Sequence, residues 1–312
     1  MRGKLLNSIN RIYEIQLARL ELLSLGATNV KLDFDNLELE FDFNRDIEKL
    51  KKRVSWIETI NNESTWISDV ITANRKILRK YADLWFSHFA YPFKARFRPP
   101  LARSAINIVC PESKGVILDP FTGSGTTNIE TTMIGLDSIG IDINPFYIAM
   151  TEAKYKLYKR KIEDEEFAMN FWDSLDSKSL FHKSSQIKNN YHPIFPILYS
   201  YATCMHFKNP QKAFLKKYQE IKILQDEWWK VRKKYKLGSL ETRTISAENL
   251  PYPDNSIDGI VTSPPYSNAL DYLKENRGAP EFFEVSDKSV SYTHLRAHET
   301  PEHLVCRLLL EK

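Results

Sequence analysis

Leu6, Ile9, Tyr13, Leu17 and Leu20 recur at three- and four-residue steps, the spacing of one helix face, which predicts a helix over residues 5–22. The period then changes. Val30, Leu32 and Phe34, followed by Leu37, Leu39, Phe41 and Phe43, alternate with lysines and acids around Asp35-Asn36, and predict a β-hairpin with one apolar face. Helical spacing returns at Ile47, Leu50 and Val54, and again at Trp66, Val70, Ile77, Tyr81 and Trp85, with Asn62 or Ser64 as candidate caps for the second helix. Residues 1–85 are therefore expected to form a helical region with a hairpin, serving as a packing or partner-binding accessory.

From Val116 the pattern becomes strand, glycine turn, helix, strand. Val116 to Leu118 is a short apolar run, Asp119 to Thr127 the turn, Asn128 to Gly135 the helix, and Ser138 to Ile141 a second strand that ends at Asp142. This is the βαβ unit of a parallel sheet and predicts an α/β fold. A further apolar run, Ile257 to Val261, ends at Thr262-Ser263-Pro264-Pro265-Tyr266. Proline cannot donate to a sheet ladder, so the Pro-Pro pair marks the carboxyl end of that strand, the edge where open α/β sheets gather ligands. A minimal crossover would not need the residues 161–240 that lie between.

Composition narrows the class without naming it. The chain has 312 residues, enough for about two domains at roughly 150 residues each. A 42% hydrophobic and 27% charged composition is that of a globular protein. No apolar run approaches the roughly 20 residues of a membrane span, and the first residues lack a secretory core, so the chain is expected in the cytoplasm with no membrane partner. Cys110, Cys204 and Cys306 lie far apart without a C-x-x-C, which offers neither a disulfide framework nor a cysteine zinc site. His182, His192, Cys204 and His206 are too irregularly spaced for a structural zinc, and no metal is expected.

Two motifs carry chemistry. In DPFTGSGTT, Asp119 closes a strand, and Gly123 and Gly125 stand where the chain must turn into a helix and let a ligand lie against the backbone. It is not a phosphate loop, since no lysine follows Gly125, and Asn128 breaks the full dinucleotide fingerprint. Asp142, closing the next strand, stands where a carboxylate accepts from ribose hydroxyls, which points to an adenosine-type cofactor. In TSPPY, the Ser263 hydroxyl and the Pro264 carbonyl can accept both hydrogens of an exocyclic amine and hold its lone pair toward an electrophilic methyl. Pro265 stiffens the loop, and Tyr266 offers a face for a flipped-out base.

Together DPFTGSGTT and LPYPDNSIDGIVTSPPY resemble the S-adenosylmethionine-dependent amino-methyltransferases of DNA, the N4-cytosine/N6-adenine group. Tyr91 to Arg103, YPFKARFRPPLAR, is similar to that family's upstream cofactor motif. The resemblance implies a Rossmann-like methyltransferase sheet with a helical N-terminal region and a helical insert. It implies S-adenosylmethionine held by Tyr91, Lys94, Asp119, Pro120, Phe121, Gly123, Ser124, Gly125 and Thr126, with ribose at Asp142. The target amine would sit at Ser263, Pro264, Pro265 and Tyr266. The implied partner is double-stranded DNA with the target base flipped, beside a restriction system, and serine before the prolines favours cytosine N4 over adenine N6. Where the family has an acid-containing G-D-A, this chain reads Ile245-Ser246-Ala247-Glu248. A C5-cytosine mechanism would need a cysteine after proline, whereas Cys110 precedes Pro111. An RNA base methyltransferase with the same loops, or a nucleic-acid-binding subunit without catalysis, are the alternatives.

The catalytic domain is expected over 86–160 and 241–289, divided by the insert. Between Lys208 and Arg243 eleven basic side chains face four acids, a local excess of +7, larger than the +4 of the whole chain. Interleaved Tyr218, Trp228, Trp229 and Tyr235 make this insert a candidate target-recognition surface, or else an ordinary solvated helix face. The final segment, Val290 to Lys312, resembles a translated sequencing adaptor more than an amphipathic helix. On that expectation the sheet is incomplete at its C-terminus and the fragment turns over little.

Overall fold

A computed structural model of the chain describes residues 1–9, 11–74, 86–93, 96–175, 191–205 and 207–264. The expected helix positions Ile77, Tyr81 and Trp85, the histidines His182 and His206, and the segment 290–312 lie outside them.

The N-terminal residues form more sheet than their pattern predicts. Around the expected hairpin of β2 (Thr28–Asp33) and β3 (Glu38–Asp42), strands β1 (Arg2–Leu5), β4 (Ile57–Ile60) and β5 (Glu63–Ser64) complete an antiparallel sheet in the order β2-β3-β1-β4-β5. The turn is fixed by Asp33, whose carboxylate accepts from the backbone of Asp35 and Asn36 and from the Asn36 amide. Helix α1 spans Ile12–Ser24 rather than 5–22, because Leu5 and Leu6 are buried at the end of β1 instead. Leu5, Leu39, Phe41, Ile57 and Ile60 pack with Leu22, Leu50 and Trp56 in one core. Helix α2 (Ile47–Arg53) is capped by Asp46, and α3 (Trp66–Asn74) starts at Thr65, whose hydroxyl accepts from the Ser68 amide at 3.4 Å. Neither Asn62 nor Ser64 is the cap, since Ser64 is paired in β5.

This unit is keyed to the rest of the chain by buried polar contacts. Arg53 donates to the Asn107 side chain at 2.8 Å and to the carbonyls of Cys110, Pro111 and Glu112. Asn107 in turn donates to Glu21, which also accepts from the Ser55 amide and hydroxyl. Burial pushes Glu21 up and Arg53 down to about 10. Such a network is costly when half-satisfied, so it specifies one docking of the N-terminal sheet on α4 (Pro99–Val109).

The second sheet is wholly parallel, in the order β8-β7-β6-β9, built from β6 (Val116–Asp119), β7 (Asp137–Asp142), β8 (Leu240–Thr244) and β9 (Gly259–Ile260). The strands after β6 first step one way, to β7 and β8, and then β9 returns to β6's other side. That reversal makes the carboxyl ends of β6 and β9 a topological switch point. Helix α5 (Thr126–Met133) is buried at every residue, and two of its polar side chains, Glu130 and Asn128, find partners close by. Glu130 accepts from Arg103 and pairs with His88, and Asn128 donates to Ser138 and the Ile139 carbonyl.

The insert joins the main core. Helices α8 (Ile194–Cys204) and α9 (Pro210–Val231) pack against α6 (Pro145–Lys159), and α7 (Glu165–Ser174) packs on α8 and α9, in a core that includes Phe171, Phe195, Phe214, Ile221, Leu224 and Trp228. Tyr218 and Trp228 are buried in that core, while Trp229 and Tyr235 pack against it. Of the aromatic residues singled out as base contacts, Tyr218 and Trp228 are thus core side chains, and Trp229 and Tyr235 are half-buried. Lys236 and Ser239 lie at the amino ends of the strands, where Ser239 bonds Asp137, the first residue of β7. Lys236 is thus on the edge of the sheet opposite the ligand edge, while Arg243, in register with Ile141, lies toward the ligand edge.

Among the described residues no helix is long and apolar enough to cross a membrane.

Candidate functional site

Three strands deliver the candidate residues to one edge. β6 ends at Asp119, β7 at Asp142, and the chain leaving β9 passes through Thr262, Ser263 and Pro264. The strand register explains the meeting. Leu118 pairs with Ile260, the Val261 amide donates to the Leu118 carbonyl at 3.1 Å, and one residue further the Thr262 hydroxyl donates to Asp119 Oδ1 at 2.7 Å. The cofactor-type loop and the TSPP segment are therefore joined directly.

The glycine loop is wound around the two acids. Asp119 Oδ1 also accepts from the Phe121 amide at 3.1 Å, and Asp142 Oδ2 accepts from the Gly123 amide at 2.9 Å. The other Asp142 oxygen takes the Asn144 amide at 2.9 Å. Thr122 ties the loop to the sheet through its amide and the Ile141 carbonyl. Gly123 and Gly125 both adopt positive φ, +49° and +73°, the region that favours glycine. Their surroundings differ. A Cβ at Gly123 would meet only the Phe121 carbonyl and the Phe93 ring at 3.8 Å, whereas one at Gly125 would lie 2.3 Å from the Thr151 hydroxyl of α6. Among the described residues Gly123 is met only at ordinary contact distance, whereas Gly125 is pressed against the helix behind it.

The electrostatics are unusual for two neighbouring acids. Burial pushes Asp119 up to about 6, against the hydrogen bonds from Thr262 and Phe121 that favour its ionised form. Burial pushes Asp142 up to about 7, and the charge of Asp119 adds to this against the amides of Asn144 and Gly123. Among the described residues neither acid hydrogen-bonds a basic side chain. A ligand bringing hydroxyl donors and positive charge suits this site, and a polyphosphate does not. S-adenosylmethionine, with its ribose, sulfonium and ammonium, fits that donor set.

Other predicted positions fall as follows. Pro120 and Phe121 are half-buried in the loop, and the Ser124 hydroxyl meets that of Thr126 at 3.1 Å inside it. Ser263 and Pro264 are half-buried beside the Thr262 tie. Tyr91 is 1% exposed and packs edge-on against Phe146, so its ring belongs to the core under the loop. Lys94, Pro265 and Tyr266 lie outside the described residues. His192, weighed as a metal ligand, accepts from the Ile194 amide through Nδ1, and among the described residues no group of three His, Cys, Asp or Glu side chains comes together as metal ligands.

The loop's supports were not singled out from sequence. Lys154, fully buried on α6, donates to the Ser124 carbonyl at 2.6 Å, and burial holds its amine well below the usual lysine range. Arg96 binds the carbonyls of His88 and Tyr91, which fastens the upstream segment that places Phe93 over Gly123. Arg96 and Phe93 sit inside the quoted upstream motif, so a signal was present. Lys154 reads in sequence as one of several helix lysines and carries none.

Residues 28–154, from β2 to α6, match a family of DNA methylases, the N6/N4 methyltransferase type. The chain is similar to the type II methyltransferase M.MjaII of Methanocaldococcus jannaschii, 29% identical over 50% of this chain and 27% of that protein. It is also similar to M.BsoBI of Geobacillus stearothermophilus, 32% identical over 38% of this chain and 22% of the relative. M.HpaI of Haemophilus parainfluenzae is 38% identical over 31% of this chain and 30% of its own length. The matched stretch spans less than a third of each of these relatives.

Proposed function

We propose that this chain carries the cofactor loop and the catalytic loop of a site-specific DNA amino-methyltransferase that moves a methyl group from S-adenosylmethionine to an exocyclic amine, cytosine N4 in preference to adenine N6. The observation that carries this reading is the 2.7 Å bond from Thr262 to Asp119, which sets the amine-accepting loop against the adenosine-type loop at the switch point. The similarity to type II methyltransferases supports DNA as the substrate and a restriction enzyme as the working partner.

Bound S-adenosylmethionine supplies an electrophilic methyl on a sulfonium. The chain's own groups do the rest. Asp142 accepts from the ribose and Asp119 stabilises positive charge beside it, while Gly123 leaves the backbone open to close approach. The Ser263 hydroxyl and the Pro264 carbonyl accept the two amine hydrogens of a base flipped from the duplex, and so aim its lone pair. Alignment of this kind is a large source of rate, since well-oriented reactants reach effective molarities of about 10⁵–10⁸ M.

Incubation of the protein with methyl-labelled S-adenosylmethionine and unmethylated double-stranded DNA, followed by nucleoside analysis, tests the proposal. Labelled N4-methylcytosine is the expected product, accumulated over long incubation because slow turnover is expected of residues 1–312. N6-methyladenine would overturn the choice of base, and label in RNA alone would overturn the choice of substrate. Ser263→Ala is expected to lower kcat by on the order of 10²-fold, as for loss of one preorganised polar group at a reacting centre, with S-adenosylmethionine binding by calorimetry unchanged.

A further inference from the structure

We propose that Thr262 is a positioning residue that couples the charge of Asp119 to the placement of the catalytic loop, so that a cation bound beside Asp119 draws Ser263 into working position. The inference rests on the methyltransferase reading of this site.

The backbone alone holds the TSPP segment weakly. β9 is short, paired with β6 only at Gly259 and Ile260, and its last ladder bond is the Val261 amide on the Leu118 carbonyl. Beyond it come prolines, which cannot donate. Among the described residues the Thr262 hydroxyl on Asp119 is the one hydrogen bond made by Thr262, Ser263 and Pro264. Its acceptor is shared, because the same Asp119 oxygen takes the Phe121 amide of the cofactor loop. One oxygen thus ties both loops.

A hydrogen bond to an ionised acceptor is shorter and roughly twice as strong as a neutral one. Asp119 is buried with Asp142 facing it from β7 and the Thr262 hydroxyl from the β9 loop. On α6, Lys154 is engaged behind the loop by the Ser124 carbonyl. A cation arriving at this pair holds Asp119 ionised, and the strut to Thr262 tightens. The proton that would otherwise occupy Asp119 competes with it. Cofactor binding and readiness of the amine-accepting loop are linked through a single hydroxyl.

The test uses the full chain as Thr262→Val, which keeps shape and removes the donor, and Thr262→Ser, which restores the donor. Titration of the ¹³C-labelled Asp carboxyls by NMR without ligand reads the strut directly. The midpoint of Asp119, near 6 in the parent protein, is expected to rise by about one unit in Thr262→Val, because a bond to the charged form is lost, and to return in Thr262→Ser. With S-adenosylmethionine and DNA, Thr262→Val is expected to lower kcat about tenfold, a loss of ~1.4 kcal/mol, with the acid limb of the rate profile displaced upward and KM for DNA little changed. An unmoved Asp119 midpoint in Thr262→Val, or a Thr262→Ser variant that restores neither midpoint nor kcat, overturns the proposal. Thermal unfolding of both variants within a few degrees of the parent excludes loss of fold. Failure of the methyltransferase reading shows separately, as absence of S-adenosylmethionine binding by the parent protein in calorimetry, and leaves the titration to decide the strut.

Discussion

Gly125→Ala is expected to destabilise the protein by roughly 2–5 kcal/mol, measured by urea unfolding at pH 8, through two independent costs. At φ +73° an L-residue occupies the left-handed region, which costs about 1–2 kcal/mol. The new Cβ also falls 2.3 Å from Thr151 Oγ1, 2.8 Å from its Cγ2 and 2.9 Å from its Cβ, on a helix residue that is fully buried and has nowhere to move. Overpacking of this kind typically adds about 1–3 kcal/mol. The two costs separate in a double variant. Thr151→Ala removes the nearer contacts, and because the Thr151 hydroxyl has no hydrogen-bond partner among the described residues, this change alone is expected to be nearly neutral. In the Gly125→Ala background it recovers part of the packing loss and none of the backbone strain. Gly123→Ala provides the contrast. Its Cβ meets neighbours only at 3.8 Å, so stability falls by about 1 kcal/mol, while the methyl enters the face where the cofactor would lie and the larger effect appears in S-adenosylmethionine affinity.

The same two glycines show how far the sequence could be followed. Their spacing between two short apolar runs predicts the strand, turn, helix and strand that form, and Asp119, Asp142, Ser263 and Pro264 do reach one edge of a parallel sheet. What spacing does not reveal is that close contact with α6 demands glycine at 125, while among the described residues nothing crowds position 123. The N-terminal sheet was only half legible. β1 and β5 are too short to display a period, and β4 carries Ile57 and Ile60 three residues apart, a helix-like interval inside a strand. In α9, Phe214, Tyr218, Ile221, Leu224 and Trp228 recur at three- and four-residue steps and form a buried stripe. The period therefore marks the aromatic face as core and leaves most of the lysines around it on the other faces of the helix. The tie between Thr262 and Asp119 follows from strand register, which a single sequence does not specify.

Asp119→Asn is expected to make the ligand-free protein more stable at pH 8 and a poorer binder of S-adenosylmethionine. The sign follows from the direction of the shift. The Asp119 carboxyl is pushed from 3.8 to about 6 in the folded chain, so between those values the folded state holds a proton that the unfolded chain has released. Its favourable contribution is fully present below pH 3.8 and is lost as pH rises through 6. Asp142, raised to about 7, behaves in the same direction over a wider window. His88 and His192 oppose them, for burial lowers these to about 4 and about 3, and their contribution is lost as pH falls below the ordinary histidine range. The histidines are common to parent and variant and cancel in the difference, which reads Asp119 together with the relief of Asp142 once the neighbouring charge is gone. Asparagine keeps an oxygen for the Thr262 hydroxyl and the Phe121 amide but carries no charge to bury. The gain should approach ~1–3 kcal/mol at pH 8, from about 1.4 kcal/mol per pKa unit, and shrink toward zero near pH 4, measured by urea unfolding at several pH values. Affinity for S-adenosylmethionine by calorimetry at pH 8 should fall at least about tenfold, since the variant offers the bound cation a dipole in place of a charge. A stability difference that does not change with pH would mean that Asp119 is not held out of water, and the electrostatic basis for placing a cationic cofactor beside it would be gone.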